Sequence, residues 1–247
     1  MTRREGELED KPEHFTRMLQ GFSPGNEKYD FRTVSDLGWQ TIKARYYGMV
    51  SLIDHNIGRI VEKLKGKGLY ENTAIVFTSD HGELLGDHGL LFKGPFNYDC
   101  LIRVPLILKW GSNICGGSRI SEICQHVDLA PSLLSHAGIS IPRGVQGRFL
   151  QTLIDGDHGT GYDFALTEHD NLAWGFNMKT IRSREWRMTY YAGRRFGELY
   201  DLSKDPHEFI NLWDVEEYGE IKERLKTELL NRLISTEDCK QVREANY

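Results

Sequence analysis

The sequence predicts an α/β fold, with part of a helix-sandwiched sheet followed by a small antiparallel sheet and a terminal helix. Three observations predict it. A long stretch with helical periodicity leads into a continuous apolar run at Ala74, Ile75, Val76 and Phe77. A second apolar run, Val104-Pro105-Leu106-Ile107-Leu108, follows within one loop length. From Tyr162 onward the pattern breaks into short strand-like segments separated by turn residues. These patterns place an α/β core in residues 1–160 and a small β subdomain with its helix in residues 161–247.

The first long element is marked by Ile42, Tyr46, Met49, Val50, Ile53, Ile57, Ile60, Val61 and Leu64, which recur at three- and four-residue intervals. That spacing predicts an amphipathic helix lying against the sheet and ended by Gly66 and Gly68. Asp54 and His55 fall inside it, but adjacent helical positions point about 100° apart, so the two diverge from any shared ion and are structural or solvated. The run at Ala74–Phe77 has the character of a strand buried on both faces of a largely parallel sheet. Pro105 opens the next strand, where its missing N–H does least harm. Arg103, just before it, is expected to pair with Asp99 or Asp87. Asp128 precedes Leu129, Ala130, Leu133 and Leu134 as a helix cap or first-turn acid, with Pro131 tolerated early in the helix and His126 at its boundary.

Further on, Phe164–Thr167, Lys179–Arg182, Trp186–Tyr191 and Glu198–Asp201 are predicted strands, and Ile221, Leu225, Leu229 and Leu233 mark one face of a closing helix. Trp174, Trp186, Tyr190 and Tyr191 fit the gap between sheet and helix better than a ligand cleft. The polar run Glu168-His169-Asp170 is a weaker candidate for a substrate contact.

Chemistry concentrates after the first strand. Ligands of such sheets bind beyond the strand carboxyl ends, where Asp80 and His81 fall. A carboxylate beside an imidazole suits a divalent cation that prefers oxygen but accepts nitrogen. Gly82, Gly86 and Gly89 let the backbone turn and approach a ligand, while Asp87, His88 and Lys93 add charged groups to the same loop. An Asp-His pair also caps ordinary turns.

Ser79-Asp80-His81-Gly82-Glu83, Gly86-Asp87-His88-Gly89 and Lys93-Gly94 together resemble the second metal-binding motif of the sulfatases, members of the alkaline phosphatase superfamily. The resemblance continues upstream through Tyr46-Tyr47-Gly48-Met49-Val50, Asp54 and Ile57-Gly58-Arg59. Downstream it takes in Arg103–Ile107, His126–Pro131, Leu199–Leu202 and Asp205–Leu212. It implies an alkaline-phosphatase-like sheet and hydrolysis of a sulfate ester. Asp80 and His81 would hold the metal, Lys93 would neutralise sulfate oxygens, and His88 would protonate the leaving group or pair with Asp87. Calcium is the first expectation for the metal, with manganese or zinc favoured by the nitrogen ligand. The Asp-His form also occurs in phosphonate and phosphodiester hydrolases of the superfamily, so the substrate is a sulfate or phosphate ester, as a small molecule or a glycan.

Sulfatases use a formylglycine made within Cys-x-Pro/Ala-x-Arg, and none of the four cysteines fits. Cys115-Gly116-Gly117-Ser118-Arg119 has glycine at the proline position, Cys239-Lys240-Gln241-Val242-Arg243 has glutamine, and Cys100 and Cys124 lack the pattern altogether. The family's aspartate pair, expected upstream, is also missing. Met1 to Asp30 therefore reads as a cut, and the chain as the C-terminal portion of a sulfatase. It would need an N-terminal half from elsewhere, or else serve as a non-catalytic remnant or interaction domain.

At 247 residues, 39% hydrophobic and a formal charge of −5, the composition is globular and gives no basic footprint for nucleic acid. No stretch reads as a signal peptide or membrane span, and the compartment is undetermined. The cysteines lack a Cys-x-x-Cys and are expected as buried thiols. A partial sheet with exposed apolar edges predicts self-association.

Overall fold

The computed structural model describes residues 4–21, 30–110, 116–156, 161–171 and 173–236. Cys115 and Cys239, two of the cysteines tested above, lie outside them. The elements run α1 Glu13–Leu19, α2 Asp36–Gly66, β1 Ala74–Thr78, α3 Asp99–Ile102, β2 Leu106–Trp110, α4 Leu129–His136 and α5 Leu150–Ile154. They continue as β3 Ala165–Asn171, β4 Phe176–Arg182, β5 Trp186–Tyr191, β6 Gly197–Asp201 and α6 Gly219–Ser235. They gather into two compact units. One comprises Met1–Ser118 with Asn171–Phe176 and His207–Asn211, and the other Arg119–Asp170, Asn177–Pro206 and Leu212–Tyr247.

In the first unit, α2 begins where the Ser35 hydroxyl accepts the Gly38 N–H at 3.1 Å, satisfying one of the donors that a helix start leaves open. It ends as the glycines predict. Gly68 adopts φ +68, and the Leu69 N–H reaches back to the Leu64 carbonyl at 2.9 Å, the left-handed closure that glycine allows. The expectation that this helix is buried against the sheet is corrected. Trp39 is the one buried residue of α2, while Met49, Val50, Ile53 and Ile60 are 48–61% exposed. The reason is one of size: at about 1.5 Å per residue the 31-residue helix is roughly 46 Å long, and a five-residue strand spans only about 17 Å.

β1 and β2 pair antiparallel, Ala74 opposite Trp110 and Thr78 opposite Leu106, which corrects the parallel sheet inferred from the apolar run. The connection between them, residues 79–105, holds a 3-10 turn at Asp87–Gly89 and the four-residue α3, and lacks the full helix that usually carries a parallel crossover over the sheet face. The strand is half-buried along its whole length. The N-terminal segment, for which the sequence suggested no element, forms α1 and places His14, Phe15 and Met18 in the interior. Phe15 packs on Phe96 at 4.5 Å between ring centroids and meets Tyr98 edge-on.

The second unit holds the predicted antiparallel sheet and closing helix, although it begins at Arg119 where the sequence suggested a boundary at 161. β3, β4, β5 and β6 form a four-stranded sheet in sequence order, with β4–β5 and β5–β6 antiparallel. Period-two alternation divides its faces. Ile181, Met188 and Leu199 meet Leu225 and Leu229 of α6 in one apolar cluster with Trp213. The opposite face carries Thr180, Arg187, Thr189, Tyr191, Glu198 and Tyr200, all buried. There the Glu198 carboxylate accepts the Tyr191 hydroxyl at 2.6 Å, the Tyr200 hydroxyl at 3.0 Å and the Arg187 guanidinium at 3.3 Å, so a buried charge is compensated on all sides. Asp128 is a hub for this unit. It closes a capping box with Gln125 and also accepts the Arg148 N–H at 2.8 Å and the Tyr162 hydroxyl at 2.7 Å.

Candidate metal and oxyanion site

β1 delivers the chain at Thr78 to a turn in which each group is held by its neighbour. The Ser79 hydroxyl donates to the His81 carbonyl at 2.8 Å, and the His81 N–H donates to Asp80 Oδ1 at 3.0 Å. That backbone bond, helped by the nearby His81 and Lys93, holds the Asp80 carboxyl below the usual carboxylate range. The side chain is 86% exposed and keeps Oδ2 available.

The imidazole of His81 is oriented by its own backbone. Nδ1 lies 2.7 Å from the Gly82 carbonyl, which has no proton to give, so Nδ1 carries the hydrogen and the lone pair falls on Nε2. This is how a metal-binding histidine is ordinarily fixed. Nε2 stands 3.6 Å from Asp80 Oδ2 and accepts from the Lys93 ammonium at 3.0 Å. A cation thus already sits on the lone pair that a metal would take. With bond lengths of about 2.1–2.4 Å, two donors at that separation can share one ion at an angle of roughly 100–120°. The donor set fits a divalent ion, and among the described residues no group of three or more His, Cys, Asp or Glu converges on a common point.

The motif is anchored at Gly82. Its N–H donates to the Leu101 carbonyl at 2.7 Å, and a Cβ added there would lie 1.9 Å from the Cys100 carbonyl oxygen. Only glycine lets this turn approach α3 so closely. The loop that follows is bent repeatedly: Leu85, His88 and Phe92 have φ of 47°, 56° and 67°. They are three of the four non-glycine residues with positive φ among those described. Such backbone costs on the order of 1–3 kcal/mol per residue and gathers at sites that need it.

Lys93 therefore stands where the sequence places it, beside Asp80 and His81. His88 is elsewhere in its contacts. It is 4% exposed, stacks on Tyr98 at 3.8 Å with 9° between planes, and meets Phe209 edge-on. Its Nδ1 lies 3.7 Å from Glu7 Oε1. Asp54, His55 and His126 are exposed, and Arg103 faces Asp99 at 3.8 Å. Glu168 on β3 pairs with Lys179 on β4 at 2.7 Å. Sequence reasoning missed Glu7 and Lys11, because a charged N-terminal run carries no burial signal, and Glu208, whose carboxylate accepts the Asp99 N–H at 2.8 Å.

Known proteins resemble this chain along most of its length. The sulfatase family model matches residues 9–139, and the model described as N-sulphoglucosamine sulphohydrolase, C-terminal, matches residues 86–235. An arylsulfatase of Clostridium perfringens is 34% identical over 199 residues, 79% of this chain and 41% of that protein. An N-acetylglucosamine-6-O-sulfatase of Bacteroides thetaiotaomicron is 31% identical, over 80% of this chain and 37% of that protein. The crystal structure of the phosphonate monoester hydrolase of Agrobacterium radiobacter superposes with a TM-score of 0.78 at 29% identity. That match covers 85% of this chain and 44% of the other. The chain spans about two-fifths of the length of the curated relatives it matches. Each family model covers more than half of the sequence, and the chain belongs to the sulfatase family of the alkaline phosphatase superfamily.

Proposed function

We propose that this chain supplies the metal-holding and anion-neutralising part of a metal-dependent sulfuric ester hydrolase. The observation that carries the reading is the convergence of the Asp80 carboxylate, His81 Nε2 and Lys93 ammonium within hydrogen-bonding and ion-sharing distances. Asp80 and His81 would hold a divalent ion, calcium first and manganese or zinc given the nitrogen ligand. When bound, that ion would act as a Lewis acid on a sulfate oxygen. Lys93, released from His81 Nε2 when a metal takes that lone pair, would place a point charge against the developing oxyanion. The Gly82 carbonyl keeps the His81 proton on Nδ1, so Nε2 stays a donor of electrons. His88 acts by packing the loop, since its ring is sandwiched away from solvent.

The nucleophile and the remaining metal ligands belong to the portion of the relatives outside the matched region, supplied in the same polypeptide or by another. The substrate class is a sulfate ester, and the sulfated amino sugar named for one relative makes a glycan the first candidate. Without those groups, covalent catalysis and most of the charge stabilisation are missing. The 247 residues alone should therefore give no turnover of an aryl sulfate. Co-production with a segment bearing Cys-x-Pro-x-Arg and the aspartate pair should restore turnover, and Asp80→Ala should abolish it. Turnover by the chain alone would contradict the proposal, and a complex that never turns over would favour a non-catalytic interaction domain.

A second reading, hydrolysis of phosphonate monoesters or phosphodiesters, is favoured by the likeness to a phosphonate monoester hydrolase. A complemented enzyme that prefers an aryl phosphonate to the matching aryl sulfate would establish it.

A further inference from the structure

Glu208 lies far from the metal motif in sequence, yet it is 2% exposed and holds φ +59, backbone that a glutamate rarely adopts. A buried carboxylate on unfavourable backbone persists only where its surroundings fix it. Two bonds do so. Glu208 Oε2 accepts the Asp99 N–H at 2.8 Å, at the first turn of α3. Its backbone carbonyl accepts from the buried Lys11 ammonium, which also donates to the Tyr98 hydroxyl at 2.8 Å. Lys11 thus ties Glu208 to the residue that precedes α3.

α3 is in turn the wall on which the metal turn rests. The Leu101 carbonyl accepts the Gly82 N–H at 2.7 Å, and a Cβ on Gly82 would lie 1.9 Å from the Cys100 carbonyl oxygen. The Gly82 carbonyl then sets the imidazole through Nδ1. We infer that Glu208 is a positioning residue for His81, acting through α3 and the Gly82 backbone. The chain of contacts runs from the Glu208 carboxylate to the Asp99 N–H, from the Leu101 carbonyl to the Gly82 N–H, and from the Gly82 carbonyl to Nδ1. This explains why a residue so far from the metal motif in sequence is both buried and conformationally constrained. The inference rests on the proposed metal role of Asp80 and His81.

The test uses the full chain with Mn2+ alone as probe, read by water-proton relaxation well below the melting temperature of the weakest variant. Glu208→Ala is expected to weaken Mn2+ binding about tenfold, at the lower end of what loss of an outer-shell partner costs. Glu208→Gln keeps an oxygen that can accept the Asp99 N–H, and it is expected to bind within about twofold of the parent. Gly197→Ala, a destabilising change in the other unit, should leave affinity unchanged, so lost stability alone does not mimic the effect. Amide exchange supplies an arm independent of metal: the Gly82 N–H should exchange at least about tenfold faster in the Ala variant and near the parent rate in the Gln variant. Unchanged Mn2+ affinity and unchanged Gly82 exchange in Glu208→Ala would overturn the inference. If parental Mn2+ binding is indifferent to Asp80→Ala, the metal reading fails, and Gly82 exchange alone decides the positioning claim.

Discussion

A methyl group on Gly82 would meet the Cys100 carbonyl oxygen at 1.9 Å, so either the metal turn or α3 must move. Gly82→Ala is accordingly expected to cost about 3 kcal/mol or more, at the severe end for overpacking, and a denaturant titration checks it. Lys93 gives a prediction of opposite signs. Its ammonium bonds to His81 Nε2, where under the proposed function it would compete with a metal and would also serve an incoming anion. Lys93→Met should tighten Mn2+ binding about fivefold, equivalent to the ~1 kcal/mol of a charge pair in a water-like dielectric, and weaken sulfate binding. Calorimetry with each ion separately reads both signs. At this scale the sequence was informative where residue type dictates chemistry. The nearness of Asp80, His81 and Lys93 could be anticipated from type and spacing. Glu208 and Lys11 could not, because what matters about them is burial reached through contacts across most of the chain. His88 looked like a loop acid because the sequence shows Gly86-Asp87-His88-Gly89 and not the stacking on Tyr98.

Among the elements, the antiparallel sheet and α6 were legible because two periods, two for strands and 3.6 for the helix, mark their faces. Trp213 shows how tight that packing is. Its ring lies over Gly197 on β6, where an added Cβ would meet ring carbons at 2.5 Å. Gly197→Ala should lower stability by about 1–3 kcal/mol, measured by thermal melting. Tyr162 provides a pH prediction. Burial, reinforced by its bond to the Asp128 carboxylate, pushes the phenol up to about 12. The folded state therefore keeps a proton that the unfolded state releases near pH 10, and stability falls as pH rises between about 10 and 12. Tyr162→Phe should remove that part of the alkaline loss; an unchanged profile in urea titrations from pH 9 to 12 would contradict it. The direction of β1 against β2 was not legible. An apolar run reports burial but not pairing, and Val76 and Phe77 are only half-buried.

For the molecule as a whole, the apolar stripe of α2 is a prominent exposed surface among the described residues. Met49 and Ile53, one turn apart, are 57% and 52% exposed, and the stripe continues through Ile60. In this chain it predicts concentration-dependent association, driven by roughly 25 cal/mol for each Å² of apolar surface covered. Met49→Lys with Ile53→Lys should shift the protein toward monomer in sedimentation velocity, and a parent that stays monomeric at high concentration would refute it. No helix among the described residues is long and apolar enough to cross a membrane.

The central claim, that Asp80 and His81 form one end of a metal site, is most directly tested by titrating Mn2+ into isotopically labelled protein. Paramagnetic broadening is the readout. The account predicts broadening that appears first at the His81 ring and the Asp80 and Gly82 amides and is lost in Asp80→Ala. Broadening centred on other residues, or unchanged by Asp80→Ala, would contradict it.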